Sequence, residues 1–164
     1  MSTAERLRVA YTCTTYWVDA EPEPIALRVG SPNRSLDRAL AAHGASRWAF
    51  ITAWNPQSEL RAHWFNTARH LTLLYSLRRA GFVWVSAVAQ SDTFDWPPEI
   101  GVLVLGITRA QVRRLGRRFR QNAVVVGRRS GAAELVWCSR GEALGGRREA
   151  RGAGNAWESR HDRG

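Results

Sequence analysis

The chain is organised around one apolar stretch, Trp48-Ala49-Phe50-Ile51-Thr52-Ala53-Trp54, entered from Arg47 and closed by Asn55-Pro56. A short apolar and β-branched run bounded by a turn signal fits a strand buried on both faces. Proline ends it, because it lacks the N–H that a sheet ladder needs and holds the residue before it extended. The pattern then changes period. Residues 62–79 read as a helix with Trp64, Ala68, Leu71, Leu74 and Tyr75 on one face and Asn66, Arg69, His70 and Leu73 on the other. A strand, a polar turn and a helix make a rigid frame for a site at the turn.

Other elements follow from the same reading. Residues 1–8 are polar and are expected to be a loose lead-in. Tyr11 to Val18 and Ile25 to Val29 read as a strand hairpin around an acidic Glu-Pro-Glu-Pro connection. Ser35 is the expected N-cap of a short helix through Ala42, stopped by His43-Gly44. Phe82 to Val88 and Ile100 to Ile107 read as strands separated by a polar loop with Asp92, Asp95, Trp96 and two prolines. Thr108 caps a third helix through Phe119 with Val112, Leu115 and Phe119 inward. Strands Ala123 to Val126 and Glu134 to Cys138 follow. The order predicts one α+β domain: a mixed sheet with about three helices packed on it. Residues 139–164 are rich in glycine and arginine without periodicity and are expected to be a disordered tail.

Composition narrows the class. The chain has 164 residues and a formal charge of +10, and all 24 basic residues are arginine. Arginine is therefore partly a compositional preference, and its distribution says more than its number. Residues 108–138 hold eight arginines and one acid, a net +7. No apolar run suits a bilayer and no leader pattern opens the chain, so a cytoplasmic protein without membrane contact is expected. Cys13 and Cys138, both in predicted strands, are expected to be thiols packed as small apolar groups. The eight tryptophans are expected mainly in the core.

Several of these residues together resemble a known family. Tyr11-Thr12-x-Thr14-x-Tyr16, Ala49 to Pro56, Asn66, Trp96-Pro97-x-Glu99 and Phe119-x-Gln121-Asn122-Ala123 resemble DUF3293, an uncharacterised bacterial family, across residues 9–138. The resemblance implies that these polar positions form one recurring pattern, but it implies no activity. It also implies an acid before the helix asparagine, and an acid and a serine after the Trp-Pro segment. Here Phe65, Ile100 and Gly101 stand at those places.

Three constellations carry candidate chemistry. Thr52, Asn55, Asn66, Arg69, Glu99, Gln121 and Asn122, with Trp54 and Trp96 for stacking, could form a polar pocket for a small ligand. In it the amides would read donors and acceptors, Arg69 would hold an anion and Glu99 would act as acid or base. The alternative is that they cap turns. Arg109, Arg113, Arg117 and Arg120 fall near one helix line and Arg114 and Arg118 beside it, a pattern that can neutralise nucleic-acid phosphates or meet an acidic protein. The alternative is a solvated face. Glu59, His63, Asn66 and His70 share a stripe, but its histidines lie two turns, about 10 Å, apart. No metal or cofactor is expected: the chain has no HExxH, P-loop or GxGxxG, and no GxSxG.

Overall fold

The computed structural model describes residues 1–139. Its elements are α1 (Thr3–Thr12), β1 (Thr14–Val18), β2 (Ile25–Leu27), α2 (Arg34–Ala42), β3 (Arg47–Thr52), a 3-10 turn (Pro56–Ser58), α3 (His63–Arg79), β4 (Trp84–Ser91), β5 (Glu99–Leu105), α4 (Arg109–Arg118), β6 (Ala123–Arg128) and β7 (Glu134–Trp137). The expected disordered tail, apart from Ser139, lies outside the described residues, and so does Trp157.

One seven-stranded sheet runs β2-β1-β4-β5-β3-β6-β7, so β3 and β5 lie inside it. The α+β class and the β1–β2 hairpin match the sequence reading. The expected mixed pairing resolves into antiparallel ladders between all named strands. Among the described residues the one parallel pairing is an isolated bridge, Val29 to Ala133, which joins the two ends of the strand order. Gly30 donates its N–H to Ala133 O at 2.8 Å, and Ala133 donates to Ser31 O at 3.1 Å. The sheet is therefore curled, with the ends of its two edge strands joined at this one point.

Curling gives the sheet two apolar faces. On one, Ile51, Val102, Val104 and Val124 pack with Leu73 and Leu77 of α3 and Val112 of α4. On the other, Tyr16, Trp48, Phe50, Leu103 and Val125 pack around Leu36 and Leu40 of α2. This explains why β3 reads as apolar on both sides: from Trp48 to Ala53 every residue is buried.

Four local readings change. Residues 1–8 are not loose, because Ser2 and Glu5 form a capping box that starts α1. The cap of α2 is Asn33, not Ser35: its Oδ1 accepts from Leu36 N at 2.9 Å while its Nδ2 donates to Ala26 O. Cys13 is exposed at the end of α1; only Cys138 is buried, and burial pushes its thiol up to about 11. Of the tryptophans among the described residues only Trp48 is fully buried, and Trp17 and Trp64 are exposed.

The structure shows which side of α3 turns inward. Its buried residues are Asn66, Leu73 and Leu77, whereas Trp64, Leu71 and Tyr75 are exposed. The helix carries apolar residues around most of its circumference, so periodicity alone does not choose its inner side. Asn66 decides the orientation, because its amide is needed beneath the β3 turn.

Candidate functional site

The turn after β3 is built by side chains that bond backbone. Thr52 Oγ1 donates to Ile100 O at 2.7 Å and accepts from Trp54 N at 3.0 Å, which folds the chain over the start of β5. Asn55 then takes a left-handed conformation with φ of 45°, followed by Gln57 at 59° and Ser58 at 57°. Asparagine tolerates this region better than most residues. Such backbone persists only where its surroundings over-determine it, and here they do. Asn55 N donates to Asn66 Oδ1 at 2.9 Å, Asn55 Oδ1 accepts from Arg61 N and Asn66 Nδ2, and Asn55 Nδ2 donates to Glu99 Oε1 at 2.8 Å.

The remaining predicted residues tie this turn to the C-terminal half. Arg69 donates to Ala53 O at 2.8 Å and to Phe119 O, its guanidinium lying over the rings of Phe65 and Phe119. Gln121 Nε2 donates to Trp54 O at 2.9 Å, and Asn122 Nδ2 to Ser58 Oγ at 2.9 Å. The polar set therefore does meet in space. Thr52, Asn55, Asn66, Arg69, Gln121 and Asn122 spend hydrogen bonds on fixing the turn. Trp54 stands edge-on to His63, and its indole N–H has no acceptor among the described residues.

Trp96 and Glu99 differ, because they face a cavity of about 500 Å³. One wall is α1, through Leu7, Ala10 and Tyr11; Tyr16, Ser58 and the β4 end at Ser91 complete much of the rest. Glu99 Oε1 accepts from both Asn55 Nδ2 and Trp96 Nε1, the latter at 2.9 Å. Its other oxygen has no donor among the described residues. Burial holds the carboxyl above its usual range, against the opposing pull of those two donors. Beside it, burial and the Glu99 charge push the Tyr11 phenol up to about 12, with Ser58 pulling it down. A smaller space of about 30 Å³ touches Glu99, Thr52 and Gln121.

Tyr11, Ser58 and the α1 wall were absent from the expected site. The Ser2-x-x-Glu5 signature could have revealed the helix, and Tyr11 heads the family-like pattern. Ser58 carried no signal, because its place depends on the left-handed turn.

The α4 arginines do not form one outward line. Arg109 pairs with Glu134 at 2.8 Å, Arg113 donates to Ser139 O at 2.8 Å, Arg117 to Cys138 O at 3.4 Å, and Arg120 to Gln57 Oε1 at 2.6 Å. Arg113 and Arg117 are half-buried; Arg114 and Arg118 are exposed. The Glu59, His63, Asn66 and His70 stripe also disperses, since Glu59 pairs with Arg61 and Asn66 turns inward.

Fold and site together define an α+β domain with a curled antiparallel sheet, a rigid polar turn and a cavity roofed by the N-terminal helix. The family model described as "Protein of unknown function (DUF3293)" matches residues 51–124, from β3 into β6, so this stretch is similar to that family. No curated protein and no solved structure matches the chain. No helix among the described residues is long and apolar enough to cross a membrane.

Proposed function

We propose that this protein is a bacterial, cytoplasmic binding domain whose small polar ligand enters the cavity under α1 and donates a hydrogen bond to Glu99. One observation carries the reading. Glu99 lines a cavity of about 500 Å³; one of its oxygens is fixed by Asn55 and Trp96, and the other has no donor among the described residues. A concave, mostly apolar space with a few oriented polar groups is the usual form of a small-molecule site. The chemistry asked of the ligand is an N–H or O–H donor on a compact, largely apolar body. Trp96 lines the same space, and the Tyr11 phenol stays protonated as a second polar contact. A carboxyl shifted upward is also a stronger base than a solvated one, so the same arrangement would serve an acid–base step. The cytoplasmic placement rests on the free Cys13 and Cys138.

Thermal shift across amines, amides, nucleosides, sugars and amino acids tests the reading. A ligand of this site should raise the melting temperature of the native chain. Glu99→Gln should lose most of that rise, because one carboxylate acceptor becomes an amide, and Tyr11→Phe part of it. Equal stabilisation of native chain and Glu99→Gln would remove the cavity from consideration.

A second reading, phosphate binding by α4, draws support from exposed Arg114 and Arg118. It is the narrower one, since the other four arginines already hold protein acceptors.

A further inference from the structure

The outward face of α3 is an apolar stripe. Trp64 is 73 % exposed, Leu71 60 % and Tyr75 60 %, and Leu60 just before the helix is 61 % exposed. Trp64, Ala68, Leu71 and Tyr75 follow one another at intervals of four, three and four residues, which keeps them in one seam about 16 Å long. Exposed apolar residues scattered singly need no explanation, but a contiguous row on one helix face does.

The charges around the stripe are one-sided. From Leu60 to Ser91 the chain contains no acid, and it contains Arg61, Arg69, Arg78 and Arg79. Arg69 is turned inward onto Ala53 and Phe119, and Arg61 is paired with Glu59. Arg78 and Arg79 therefore supply the unneutralised charge, both exposed at the C-terminal end of the stripe. Arg79 lies over the Tyr75 ring, so charge and apolar surface are contiguous there.

We infer that this face docks an acidic amphipathic helix of a protein partner. The partner would lay its apolar side along Trp64, Leu71 and Tyr75 and set carboxylates against Arg78 and Arg79. A helix laid on such a row is a recurring recognition mode. Charge complementarity selects this occupant. The segment 140–164 carries six arginines and four acids, a net +2 of the same sign as the face. A second copy would bring another acid-free stripe. A nucleic acid would leave the apolar seam unpaired.

Two synthetic helical peptides test it, sharing one leucine seam, one with glutamate flanks and one with lysine flanks. Their binding to the full chain is read by fluorescence anisotropy at low and moderate salt. The glutamate peptide should bind at least tenfold tighter than the lysine peptide, and more weakly as salt rises. Leu71→Gln with Tyr75→Gln should weaken it at least tenfold. Arg78→Glu with Arg79→Glu should reverse the peptide preference. These positions are exposed, so circular dichroism melts should show that each variant folds. Equal binding of both peptides, or none, overturns the inference. A photocrosslinking side chain in place of Leu71 reads the other occupants. A crosslink to residues 140–164 of the same chain, or to a second copy in a dimer dispersed by Leu71→Gln, would also overturn it.

Discussion

Glu99 opens β5 with one oxygen held by two donors and a carboxyl that burial shifts upward. Its folded-state pKa lies above the unfolded value, so its contribution to stability is fully present below the unfolded carboxylate range. It is lost as pH rises through the folded value. Glu99→Gln removes that loss. In urea melts from pH 4 to 8, the stability of Glu99→Gln relative to the native chain should therefore increase with pH. A difference that stays flat or declines would mean that the carboxyl is not desolvated. The polar type and position of Glu99 were legible, because it follows a Trp-Pro turn. Its role was not, because the donors come from residues 44 and three positions away. Gly101 has a reason no pattern could supply. A Cβ there would lie 2.6 Å from the Phe50 ring and 2.7 Å from Ile51 O. The serine that the family resemblance implies at this position has its space taken by Phe50. Gly101→Ser should cost about 1–3 kcal/mol from overpacking. Combining it with Phe50→Leu should cost less than the sum of the two single changes, read by denaturant melts in a double-mutant cycle.

At the scale of elements, strand and helix order was legible because turn residues punctuate a clear change of period. What the sequence could not disclose was direction. α3 is apolar nearly all round, and only the need for Asn66 under the Asn55 turn selects its inner side. α1 was hidden for a different reason. It buries no residue, so no apolar period announces it, and its capping box is its local signal. That composition makes a prediction about the cavity roof. Ser2→Ala with Glu5→Ala removes both reciprocal cap bonds, a loss of about 0.5–2 kcal/mol to the helix. Amides of α1 should lose hydrogen-exchange protection while amides of β3 and β5 keep theirs, and the global melting temperature should barely move. Loss of protection throughout the sheet would make α1 part of the cooperative core. The same variant should weaken any ligand that Glu99 holds, since Leu7, Ala10 and Tyr11 wall that space.

Across the described residues, a curled sheet and a tethered turn form a fixed frame, so function falls to surfaces and to cavities such as the one under α1. The surface is strongly positive, but charge count and available charge differ. Of the six arginines singled out on and after α4, Arg113 and Arg117 bond carbonyls at the end of β7, Arg109 pairs with Glu134, and Arg120 holds Gln57. The sequence could not separate these from Arg114 and Arg118, because helical spacing gives angles and not the path of the next strand. The distinction is measurable with labelled single- and double-stranded RNA and DNA across a salt series. Each phosphate contact contributes a slope of about one unit in log affinity against log salt. Arg114→Gln with Arg118→Gln should therefore lower any slope by about two units and leave the melting temperature near native. Arg113→Gln with Arg117→Gln should leave the slope nearly unchanged and lower the melting temperature, because two carbonyls lose their donors. The reverse pattern would make the half-buried pair the phosphate contact and α4 a nucleic-acid face after all. Absence of binding at low salt would leave the arginines as ties within the fold, with the cavity at Glu99 as the place to seek the ligand.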